Sequence, residues 1–85
     1  MRQDTVNIVI RFDKITDKDG NISWDEIYLK EFLYYGSGGA SDAQKCLDKT
    51  KELNDNHRTQ NRYYMATSVH ITKAMKLGLF DKEDM

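Results

Sequence analysis

The sequence predicts an all-α fold, a pair of helix–loop–helix units, on three observations. Trp24, Tyr28, Phe32 and Tyr35 recur at helical spacing. Ser41 opens a second periodic stretch, with Gln44 at capping-box distance. A glycine-centred acidic cluster, Asp17 to Asn21, lies between two apolar segments, and no proline interrupts the chain. The 85 residues read as a single domain, 1–85: a helix–loop–helix over 1–35, a linker over 36–40 and a helical half over 41–85.

The first segment, 5–14, supports two patterns. Val6, Ile8, Ile10 and Phe12 alternate as in a strand, whereas Thr5, Ile8, Val9 and Phe12 share a helical face. Helix is preferred because of the loop that follows. The second helix, 24–35, carries the aromatic face, widened by Leu29 and Leu33, and stops at Gly36. Gly36, Gly38 and Gly39 make the joint flexible. In the third helix, from Ser41, the inward stripe is Ala43, Cys46, Leu47, Thr50 and Leu53, ending at 54–56. A fourth helix is expected over 59–74, although Thr67, Val69, Ile71 and Thr72 are β-branched and weaken it.

Composition narrows the function classes. Charged residues are 32% and hydrophobic residues 39%, as in ordinary globular domains, and the net charge of -1 points away from nucleic acid. No stretch has the apolar length of a membrane span. The N-terminal segment lacks the pattern of a signal peptide, so a cytoplasmic location is expected of the chain as written. Cys46 alone forms no internal disulfide and reads as a small core residue. His57 and His70 are far apart and read as surface or helix-end histidines. Met65, Met75, Tyr63 and Tyr64 read as core, with a partner groove as the alternative. No base is marked for Cys46, and although Asp17 with Glu26 is in principle an acid/base pair, nothing suggests a substrate pocket, so no enzymatic activity is expected.

The acidic cluster carries the functional expectation. A hard cation such as calcium takes six or more oxygens, and a helix–loop–helix calcium loop offers them from alternating positions around a glycine at position 6. With Gly20 there, Asp17 and Asp19 take positions 3 and 5, and Asn21 offers its carbonyl from position 7. Ser23 takes position 9, and Glu26 closes the site from position 12. Position 1 falls on Ile15, which has no side-chain oxygen. Asp13, two residues earlier, supplies one if the loop is lengthened to 14 residues. A rival register starts at Asp17 and deletes two residues after Gly20. The expected metal ligands are therefore Asp13, Asp17, Asp19, Asn21, Ser23 and Glu26, for Ca2+ with Mg2+ as the alternative ion. The bland readings are a capping box at Ser23–Glu26 and an ordinary turn at Asp17–Asn21.

These residues resemble an EF-hand. Ile22-Ser23-Trp24-Asp25-Glu26, followed by Tyr28-Leu29-Lys30 and Phe32-Leu33, resembles more narrowly the reticulocalbin and calumenin family. That resemblance implies calcium binding in a buffer or sensor role, and a secretory location if the chain is a piece of such a protein. EF-hands pair, and a second hand centred on Gly78 puts Phe80, Asp81 and Asp84 at positions 8, 9 and 12. Lys73, Met75 and Leu77 then occupy coordinating positions, so that hand is either degenerate or a tail. The alternative function is a metal-free helical protein-interaction module, with a protein partner or self-association through the aromatic helix 24–35.

Overall fold

Residues four apart share a helix face, and because four is even they also share a strand face. The spacing of Trp24 and Tyr28, and of Ile8 and Phe12, therefore fits either element, and side-chain type decides between them. β-Branched and aromatic residues are frequent in 5–16, 22–35 and 62–70, and these pack best on a pleated surface. The computed structural model describes residues 4–36 and 39–79. In chain order it contains β1 (Thr5–Thr16), β2 (Ile22–Tyr34), α1 (Gly39–His57), β3 (Arg62–His70) and α2 (Ile71–Lys76). The strands form an antiparallel sheet ordered β2-β1-β3.

The all-α expectation is thus corrected to a mostly β architecture with two helices. The expected helices over 5–14 and 24–35 are strands β1 and β2. The expected helix over 59–74 is strand β3 followed by the short α2. The helix expected from Ser41 is present as α1, which begins at Gly39 and runs to His57. Part of the glycine linker, and Phe80, Asp81 and Asp84 of the expected second hand, lie outside the described residues.

β1 is central and carries a hydrophobic layer on each side. On one side Val9, Leu29, Cys46 and Tyr64 form a buried cluster with Leu53 and Ala66, and α1 supplies its lid. Burial pushes the Cys46 thiol up, so it is a packed apolar group rather than a nucleophile. On the other side Val6, Ile8, Val69, Ala74 and Leu79 cluster beneath α2. His70 caps α2, its Nδ1 accepting from the Thr72 N–H at 3.2 Å.

Two local devices fix the packing. Asn54 of α1 reaches the outer edge of β3: its Nδ2 donates to the Tyr64 carbonyl and its Oδ1 accepts from the Tyr64 N–H, both at 2.9 Å. The amide thereby occupies an edge that another strand could otherwise extend. In β2 the ladder slips: Val9 faces Leu29, but the preceding Ile8 faces Leu33. Three residues, 30–32, are extra, and they reverse which residues face α1. Phe32 consequently packs in the α1-side cluster, with the Lys49 ammonium 5.2 Å from its ring centre, away from Trp24 and Tyr28. The expected aromatic face is thereby divided between the two sides of the sheet.

The radius of gyration is 14.4 Å, against about 12 Å for a compact domain of this length. The long axis of 49 Å is set by the β1–β2 hairpin, whose distal end projects past both helices as a two-stranded arm.

Candidate functional site

The arm tip is built by Asp17. Gly20 N–H donates to the Asp17 carbonyl at 3.1 Å, and Asp17 N–H donates to the Asn21 carbonyl at 3.0 Å. Among the described residues no non-glycine has a positive φ, so Lys18 and Asp19 form a type I turn, and Gly20 at φ 85° follows in the left-handed region. This is the three-residue hairpin loop with a glycine bulge. The Asp17 carboxylate accepts from the Asp19 and Asn21 N–H groups at 2.9 Å each and from Asn21 Nδ2 at 3.3 Å. These bonds, the Asn21 backbone first, hold its pKa below the usual carboxylate value.

The hairpin places the sequence-predicted ligands along and across a ladder. Asp17, Asp19 and Asn21 meet at the turn, bonded to one another. Asp13 lies four residues back along β1, roughly 14 Å away at ~3.4 Å per residue. Ser23 pairs with Ile15, whereas Glu26 pairs with Phe12 and so lies on the sheet face opposite Asp13. Ligands of one calcium ion must all come within about 2.6 Å of a point. The structure gathers only the turn residues, and among the described residues no group of three or more His, Cys, Asp or Glu side chains is placed to hold a metal ion. Asp13 has a different role. Its Oδ1 accepts from Arg62 Nε at 2.6 Å and its Oδ2 from Arg11 Nε at 3.1 Å. Beside this pair an open polar depression of ≈ 360 Å³ is lined by Asp13, Lys14, His57, Thr59, Asn61 and Arg62.

The two faces of the arm differ in chemistry. On the α1 side the ladder presents Arg11, Asp13, Ser23, Asp25 and Arg62, with Ile15 exposed and Ile27 and Tyr64 drawn into the α1-side cluster. On the other side it presents Phe12, Ile22, Trp24, Tyr63 and Met65. Phe12 and Tyr63 stack with ring centres 4.9 Å apart, and Trp24 meets Tyr63 edge-on at 5.0 Å. This cluster is not enclosed: Ile22 is 58% exposed, Met65 50% and Trp24 41%. The sequence reading put Phe12 and Trp24 on the faces of two different helices and Tyr63 among core residues, and missed the cluster, which only cross-strand pairing assembles. The signal was the alternation Ile22, Trp24, Glu26, Tyr28 across a turn from Thr16, Lys14, Phe12 and Ile10.

No family model matches the chain, and searches of curated proteins and of solved structures return no match. The reticulocalbin and calumenin resemblance is corrected on both grounds. A hairpin stands where the EF-hand helices were implied, and no family model supports membership. Calcium and magnesium binding stand on the sequence reading alone. No helix among the described residues is long and apolar enough to cross a membrane.

Proposed function

We propose that the chain is a protein-interaction module whose working surface is the aromatic face of the hairpin arm. One observation carries this reading: Ile22 and Trp24 are exposed as neighbours on the arm, and Tyr63, in edge-on contact with Trp24, joins them to the exposed Met65 on β3 of the same sheet face. Single exposed apolar residues are ordinary, but a contiguous patch rimmed by charge marks a contact surface. Trp and Tyr are also the side chains that most often anchor such contacts, because each desolvates a large rigid area. Of the aromatic helix face that the sequence reading offered to a partner, Trp24 alone is among the exposed residues of this strand face.

Site-specific photo-crosslinking tests the reading. A benzoylphenylalanine at Ile22 projects from the aromatic face, and one at the adjacent Ser23 projects from the other. Irradiation of the Ile22 variant at physiological concentration should yield a discrete adduct, and the Ser23 variant should not. Equal labelling from both positions, or a diffuse smear from Ile22, would defeat the assignment.

A further inference from the structure

Resting on that reading, we infer that the aromatic face of the arm binds a second copy of this chain. Lys14 faces Trp24 across the ladder, and the next pair on the same face is Phe12 with Glu26. These four side chains form a rectangle with the aromatics on one diagonal and the opposite charges on the other. Within the described residues neither Lys14 nor Glu26 has an ion-pair partner.

That arrangement is complementary to itself. A two-fold axis along the Trp24–Phe12 diagonal, lying between the two copies, sets each aromatic against its own counterpart. The same operation brings each of the other corners to within ~3 Å of its opposite in projection, a gap that the long side chains span, so Lys14 of each copy meets Glu26 of the other. A two-fold interface requires this reciprocity. Spacings of ~4.8 Å between strands and ~6.8 Å along them incline the diagonal by roughly 35° to the strands. The two sheets then cross at roughly 70°, near the orthogonal class of sheet packing. The footprint, roughly 20 by 14 Å from strand spacings, is small, which makes the dimer weak and concentration-dependent.

Charge reversal and mixing test the geometry. Sedimentation should show wild type passing from one to two chains as concentration rises toward the millimolar range. Lys14→Glu alone and Glu26→Lys alone should each weaken association at least about tenfold, since both contacts become like-charged. An equimolar mixture of the two variants should dimerise again. In the mixed pair the introduced acid of one chain meets the introduced base of the other, and the unchanged Glu26 of the first meets the unchanged Lys14 of the second. The double variant Lys14→Glu/Glu26→Lys should also dimerise, and circular dichroism verifies that each single variant is folded. A mixture that stays monomeric, or a wild type that never leaves one chain, overturns the inference. The Ile22 adduct, repeated with purified protein at the concentration where the wild type associates, separates the failures. A mass of two chains agrees with the second copy, whereas a discrete adduct of another mass keeps the interaction module and overturns the dimer.

Discussion

Asp13 illustrates how one carboxylate acquires a role from its register. On β1 it stands opposite Arg62 of β3 and two residues from Arg11, so both of its oxygens are engaged by guanidinium groups. The Arg62 hydrogen bond leads in lowering its pKa below 3.8, burial opposes, and the Arg11 charge adds to the lowering. A carboxyl depressed in the folded state contributes stability above its unfolded pKa, and the contribution is lost as pH falls through the folded value. Arg62→Gln removes the leading cause. The stability gap between wild type and Arg62→Gln should therefore be largest near neutrality and should close as the pH falls below the ordinary carboxylate range. Urea melts of both proteins across that range measure it, and a gap independent of pH would show that Asp13 is not the group responsible. Because the pair is partly exposed, added salt should shrink the gap as well.

At the scale of elements, the β1–β2 hairpin depends on the conformation of Gly20. Its φ of 85° is one that other residues adopt at a cost, while a Cβ added there would meet no atom within 4 Å. The penalty for Gly20→Ala is therefore conformational, about 1–2 kcal/mol, and Gly20→Asn should cost less. Denaturant midpoints should fall in the order wild type, Asn, Ala at constant slope; an Ala variant as stable as wild type would place the turn elsewhere. The same hairpin explains what was legible in the sequence. The turn was legible as a bland alternative at Asp17–Asn21, and α1 was legible because its Cys46, Thr50 and Leu53 stripe has no strand reading. β1 and β2 were not, because their apolar spacing of four satisfies both periods and the ligand-like order Asp17, Asp19, Asn21 favoured the wrong one. The three extra residues at 30–32 concealed the alternation further by reversing its parity midway. The Trp24–Tyr63 contact and the Asn54–Tyr64 pairing cross between elements, and no local pattern encodes such contacts.

Across the whole molecule, burial is concentrated at one end. Val6, Ile8 and Val9 are fully enclosed between the two helical layers, whereas Ile15 and Ile22 near the tip are about half exposed at 48% and 58%. β3 begins at Arg62, opposite Asp13, and the Lys14 N–H donating to the Asn61 carbonyl at 2.8 Å is the last bond that β1 makes on that side. Beyond it the arm has two strands only, and an isolated two-stranded hairpin is marginal in water. Counting outward from the Asp17–Asn21 bond makes Ile15 and Ser23 a hydrogen-bonded pair. Their amides should therefore be bonded yet open locally, while those of Val9 and Ile10 open only with global unfolding. In dilute protein, hydrogen exchange at Ile15 and Ser23 should be faster by about 100-fold or more than at Val9 and Ile10. Uniform protection along β1 would mean that the arm is stabilised as strongly as the core. If the arm is covered by a second copy, raising the protein concentration should slow exchange at Ile15 and Ser23 selectively, because association stabilises only the segment it orders. A concentration effect of equal size at Val9 would instead locate the contact at the helical end, away from the Trp24 face.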